Sequence, residues 1–228
     1  QALIAASDSG LYRSVDEGTS WTPLQSSTLP EGEVVFLTGA GDDILFAFVH
    51  GSGFLRSVDA GSTWTPVRRP PVQPLIRALN PRGRVVPMAL DRADDGTLWL
   101  AGIGGVFRSE DAGDTWALVD LMTSSEHLNV LFTGVSVRGA EIIAVAQLAD
   151  SMLPVALQGL FSGTVYRSMD AGENWEVIGN GLGSHAPMAV QHGQTEMCVA
   201  TLDRGLRCTD DDGRTWSGIQ GGPTDVVA

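Results

Sequence analysis

One nine-residue string occurs five times, and it constrains the possible folds of this chain more than any other feature. Its second copy reads Arg56-Ser57-Val58-Asp59-Ala60-Gly61-Ser62-Thr63-Trp64. The others run from Arg13 to Trp21, Arg108 to Trp116, Arg167 to Trp175 and Cys208 to Trp216. The constant letters are Ser/Thr-x-Asp-x-Gly-x-Thr/Ser/Asn-Trp, behind a short apolar run such as Gly53-Phe54-Leu55. Successive copies lie 43, 52, 59 and 41 residues apart. Self-similarity at such a spacing marks a repeat architecture, in which each unit buries its apolar faces against its neighbours.

Each constant letter has a mechanical use in a β-hairpin. The Asp (Asp16, Asp59, Asp111, Asp170, Asp211) is expected to accept backbone N–H groups two residues on and close an Asx-type turn. The Gly two places later takes the positive φ that such a turn requires. The Trp (Trp21, Trp64, Trp116, Trp175, Trp216) is expected to re-enter a strand and supply a large apolar area. Five acids on five identical turns read as a device of the fold rather than as a catalytic set.

This string resembles the Asp box, or BNR repeat, of sialidases, sortilin-type receptors, xyloglucan-cleaving glycosidases and photosystem II assembly factors. The resemblance covers all five copies and implies a β-propeller. It implies no shared activity, since those families have the box in common and not the chemistry.

Short β-branched and aromatic runs, separated by Gly/Asp turns every 8 to 12 residues, predict four antiparallel strands (A to D) per unit. The second unit has strand A at 34–37, B at 44–49, C at 53–57 and D at 63–67, with the repeated turn joining C to D. Later units follow at 86–119, 130–178 and 188–219. The first unit has B, C and D (2–6, 10–14, 20–24) but no A, and the chain finishes on Thr224-Asp225-Val226-Val227-Ala228. The fold class predicted is therefore all-β: a five-bladed propeller spanning residues 1–228 as one domain. Its ring is closed by 224–228 joining the first blade, which removes exposed sheet edges.

Composition narrows the function classes. The formal net charge is −13, and all 14 basic residues are Arg. Such acidity argues against wholesale binding to nucleic acid or to an anionic membrane surface. No apolar run approaches the roughly 18 residues of a membrane span. No secretory leader is expected, Gln1 reads as a processed end, and a monomer is expected. Cys198 and Cys208 flank the predicted turn around Asp203, so they either face each other as a disulfide or sit as two small buried thiols. A disulfide would favour an extracytoplasmic or secreted home, free thiols a cytoplasmic one.

Antiparallel order assigns the loops to two ends. A–B turns and the repeated turns share one end; B–C turns and D-to-A connectors share the other. The second end receives both long insertions, 68–84 and 148–163, and with them His50, His127, His185, Glu126 and Asp150. Embellished loops on a rigid scaffold are where function concentrates, so this end is the expected binding face. From Arg68 to Arg92 the chain carries six Arg (68, 69, 77, 82, 84, 92) against one acid, Asp91. Arg forks suit carboxylate or phosphate groups or an acidic partner surface, and the alternative is pairing with the acidic body of the protein. The three His lie on separate loops without metal-site spacing, and the Gly-rich pieces lack a following helix, so neither metal nor cofactor is expected.

A sialidase needs a Tyr nucleophile, and Tyr12 and Tyr166 both occupy one repeated slot ahead of an Arg-Ser pair, a structural position. A glycosidase with two carboxylates is the remaining enzyme reading. Sugar sites generally present aromatic platforms, yet five of the six Trp belong to the repeated turns and Trp99 lies in a strand. The expected function is thus a non-catalytic scaffold binding a protein partner or a small anionic ligand, with a non-sialidase glycoside hydrolase as the alternative.

Overall fold

Runs such as Leu45-Phe46-Ala47-Phe48-Val49 and Leu98-Trp99-Leu100-Ala101-Gly102 are apolar at every position, so both faces of those strands must be covered. They are the second strands of their sheets, and every residue in them is buried. The computed structural model of the protein describes residues 2–7, 10–41, 43–67, 87–102, 105–119, 121, 130–148, 163–179, 182, 186–193, 195–202 and 204–218.

Five antiparallel sheets follow one another along the chain. Sheet I holds β1 (Leu3–Ser7), β2 (Gly10–Ser14) and β3 (Thr22–Pro23). Sheet II holds β4 (Val34–Gly39), β5 (Leu45–Val49), β6 (Gly53–Ser57) and β7 (Thr65–Pro66). Sheet III holds β8 (Pro87–Arg92), β9 (Leu98–Gly102), β10 (Gly105–Ser109) and β11 (Ala117–Val119). Sheet IV holds β12 (Val130–Arg138), β13 (Glu141–Leu148), β14 (Gly163–Ser168) and β15 (Glu176–Val177). Sheet V holds β16 (Pro187–His192), β17 (Met197–Thr201), β18 (Gly205–Thr209) and β19 (Ser217–Gly218). Each is a meander in sequence order, and sheet I has three strands among the described residues. Among those residues no helix is long and apolar enough to cross a membrane.

Successive sheets touch through their first described strands, β1 on β4, β4 on β8, β8 on β12 and β12 on β16. Alternation along the second strand then shares the core between two neighbours. In β5, Leu45, Ala47 and Val49 face sheet I while Phe46 faces sheet III. In β9, Leu98 and Leu100 face sheet II, whereas Trp99 and Ala101 face sheet IV. In β13, Ile142 and Ala144 look back to sheet III, and Ile143 and Val145 look on to sheet V.

The last strands are shorter than the sequence predicts: β7 is Thr65–Pro66, where 63–67 was expected. The reason is that Thr63 N–H donates to the Asp59 carboxylate and Trp64 N–H to the Thr28 hydroxyl, so neither is free for the ladder. The repeated Trp accordingly belongs to the turn and not to a strand. Trp64, Trp116, Trp175 and Trp216 each fill the cleft between their own sheet and the preceding one. Trp64 is 4% exposed and Trp116 7%, against 41% for Trp21, whose sheet comes first. Burying an indole of this kind contributes roughly 4–6 kcal/mol of transfer free energy. Residues 224–228, the expected closing strand, lie outside the described residues, as do the whole of the expected insertion 68–84 and all of the insertion 148–163 but its two end residues.

Gly172 illustrates how tightly turn and core are joined. It adopts φ +88°, and a Cβ there would collide with the ring of Trp99 in the preceding sheet. Gly172→Ala should therefore cost about 2–4 kcal/mol, from backbone strain plus overpacking. Gly139→Ala, at φ +60° with open space around it, should cost only about 1 kcal/mol. Urea unfolding of the two variants reads the difference as a shift in midpoint at unchanged m-value.

Candidate functional site

The five repeated turns share one hydrogen-bond scheme. In the second, the Ser57 hydroxyl donates to Asp59 Oδ1 at 2.7 Å and accepts the Gly61 N–H at 2.8 Å. Asp59 Oδ1 also accepts the Thr63 N–H at 2.8 Å, and Oδ2 accepts the Thr63 hydroxyl at 2.6 Å. Trp64 Nε1–H closes the turn on the Gly61 carbonyl at 3.0 Å. The scheme recurs around Asp16, Asp111, Asp170 and Asp211, with the Asn174 amide replacing the hydroxyl in the fourth copy. The Asp thus reaches four residues on, and not two, because the preceding Ser or Thr hydroxyl takes the nearer N–H. Positive φ also extends to the residue before the Gly: Glu17, Ala60, Ala112, Ala171 and Asp212 all lie between 53° and 62°.

With both oxygens engaged, these carboxyls are held as anions. The side-chain and backbone donors of Ser20, Thr115, Asn174 and Thr215 bring Asp16, Asp111, Asp170 and Asp211 down to about 2, and those of Thr63 hold Asp59 below the usual carboxylate range. None is poised to deliver a proton near neutral pH.

In sheets II, III and IV the repeated Arg ties its turn to the next sheet. Arg56 donates to the Ala112 carbonyl at 2.7 Å and pairs with Asp114 at 2.6 Å. Arg108 lies 4.0 Å from Glu173 and 5.7 Å from the centroid of Trp99, over which it stacks. Arg167 pairs with Asp212 at 3.0 Å and with Glu176 at 2.7 Å. Cys208, in the same slot of sheet V, is bonded to Cys198 directly opposite on β17, with Cα atoms 4.1 Å apart.

The turn end also holds a polar junction that the sequence did not reveal. Ser136 Oγ lies 2.9 Å from His192 Nδ1, joining sheets IV and V, and Asp91 of sheet III accepts the Val137 N–H at 2.7 Å. His192 Nε2 is buried without a hydrogen bond, 3.5 Å from Glu141. Glu141 is already paired with Arg138 at 2.7 Å. Burial therefore outweighs the attraction of Glu141 and lowers the His192 pKa below its usual 6.5. Ser136 is 1% exposed, so this Ser–His pair is sealed from substrate.

The two ends are distinct, as antiparallel order requires. Ala60 N–H donates to the Asp43 carbonyl and Ala171 N–H to the Ala140 carbonyl, placing first-to-second-strand turns beside the repeated turns. His50 lies at the opposite end, exposed, its N–H on the Glu33 carbonyl at 2.8 Å. Arg92, counted with the Arg-rich connector in the sequence, instead lies against Gly41 and Gly96 at the turn end, because β8 carries the chain across the sheet. Arg68, Arg69, Arg77, Arg82, Arg84, His127, His185, Glu126 and Asp150 lie outside the described residues.

No protein-family model matches this sequence, and no curated protein matches it. Solved structures do, with a likeness of fold: an all-β, propeller-like arrangement of sheets. The GH74 xyloglucanase from Xanthomonas campestris is 16% identical with a TM-score of 0.63, over 92% of this chain and 35% of that one. YCF48 from Cyanidioschyzon merolae is 16% identical with a TM-score of 0.58, over 96% of this chain and 65% of that one. YCF48 bound to a D1 peptide is 14% identical with a TM-score of 0.54, over 91% of this chain and 60% of that one. The chain thus spans about a third of the xyloglucanase and under two thirds of YCF48.

Because the folded pKa of the turn carboxyls lies below the unfolded value of 3.8, their contribution to stability is complete above that value. It is lost as pH falls towards about 2. The thermal midpoint should drop steeply between pH 4 and pH 2 when followed by circular dichroism. Asp211→Asn should lower the midpoint at neutral pH and make that acid-side fall shallower.

Proposed function

We propose that this chain is a non-catalytic binding scaffold. It is read as a single five-bladed Asp-box propeller over residues 1–228, with 224–228 adding the fourth strand to sheet I. The observation that carries the reading is that both oxygens of every repeated Asp are engaged inside their own turn. The five repeated acids are therefore architectural. The binding face is the end opposite the repeated turns, where His50 lies and where the connector with Arg68, Arg69, Arg77, Arg82 and Arg84 leaves sheet II. A structural neighbour bound to a D1 peptide supports a protein partner, and an Arg cluster suits an acidic segment of it or a small anion. The disulfide and the likeness to the extracellular domain of a protein from B. thetaiotaomicron support an extracytoplasmic home.

Partner capture from a lysate of the source cells, compared between the natural chain and one with Arg68, Arg69, Arg82 and Arg84 all replaced by Ala, tests the face. Loss of a specific band is expected; unchanged capture removes the connector from the reading.

The second reading is glycoside hydrolysis, supported by the GH74 neighbours. Its carboxylate pair would include Glu126 or Asp150. A panel of chromogenic glycosides should show no turnover; hydrolysis abolished by Glu126→Gln or Asp150→Asn would replace the scaffold with an enzyme.

A further inference from the structure

The repeated Arg lies within ion-pair distance of an acid of the following turn at three junctions: Arg56 of Asp114 at 2.6 Å, Arg167 of Asp212 at 3.0 Å, and Arg108 of Glu173 at 4.0 Å, beside its shorter pair with Glu110 of its own turn at 2.8 Å. The junction between sheets I and II breaks the pattern. Ser62 stands where the later turns carry Asp114 and Glu173, and Ala60 stands where the last carries Asp212. Arg13 meets no acid at ion-pair distance among the described residues, and it lines instead a cavity of about 540 Å³ at the turn end. Asp43 lines the same cavity, and Leu3, Ile4, Leu37 and Leu45 supply apolar walls.

The geometry points to a ligand site in this cavity for a small zwitterion with an apolar side chain, of the class of the aliphatic α-amino acids. Arg13 receives the carboxylate, Asp43 the ammonium, and the leucine and isoleucine side chains the hydrocarbon. A guanidinium fork is the strongest carboxylate partner a side chain offers. Asp43 would repel a simple anion but complements a ligand carrying both charges. A ligand of zero net charge is also not opposed by a protein of net charge −13. The volume lies within the range of small-molecule pockets, about 300–1,000 Å³. The site is at the other end from the proposed partner face and does not depend on it.

Titration of the whole protein with L-leucine, N-acetyl-L-leucine and L-leucinamide, followed by calorimetry, tests the assignment. Saturable binding of leucine is expected, weakened about tenfold or more by removing either charge from the ligand. Arg13→Ala should weaken leucine to the same extent and abolish the preference over leucinamide. Asp43→Asn should abolish the preference over the N-acetyl form. Ser62→Asp restores the acid that the other junctions possess; it should capture Arg13 and weaken leucine without lowering the thermal midpoint. Absence of saturable leucine binding to the natural chain, or equal affinity in Arg13→Ala, would overturn the proposal.

Discussion

The structure depends on one small hydrogen-bonded unit, the hydroxyl–carboxylate pair at the head of each repeated turn. A Ser or Thr hydroxyl donates to the Asp and accepts the Gly N–H, so two backbone N–H groups and one hydroxyl hydrogen are satisfied within eight residues. That satisfaction makes tolerable a backbone with two successive residues at positive φ, the first of them not Gly in any copy. The strain is local and its compensation is local, which is why the unit can be repeated five times with different flanking strands.

What the unit presents to its surroundings is an indole on one side and an Arg on the other. The indole points back into the cleft with the preceding sheet, and the Arg reaches forward to the following one. Sheets II, III and IV are each thereby tied to both neighbours by groups whose positions are set by one turn. Between these ties the second strands divide their side chains strictly by parity. A change in β9 at Trp99 is consequently felt in sheet IV, and one at Leu98 in sheet II. The disulfide on β17 and β18 stands where the Arg tie would be, in the sheet that has no described successor.

The polar groups at the turn end follow a different logic. Ser136, His192, Glu141, Arg138 and Asp91 come from three sheets and meet only because the ends of β8, β12 and β16 are adjacent. No spacing along the chain announces them. Arg13 is similar: alone it is one more copy of a repeated letter, and its distinction appears only when Ser62 and Ala60 on the next sheet are seen to offer it no acid.

The amino-acid sequence by itself determined the sheets, their order and the turns between their last two strands. Those features rest on period-two patterning and on residues that bond within eight positions of one another, so they are legible without knowing what lies alongside. It overestimated the last strands and misjudged the reach of the Asp, because competing donors such as Thr63 N–H were not visible as competitors. Tertiary structure alone decided which side chains cross from sheet to sheet: the parity of the core, the Arg–acid ties, the buried His192 and the cavity beside Arg13. Those contacts join residues dozens of positions apart, and only the stacking of whole sheets brings them within hydrogen-bonding or van der Waals range.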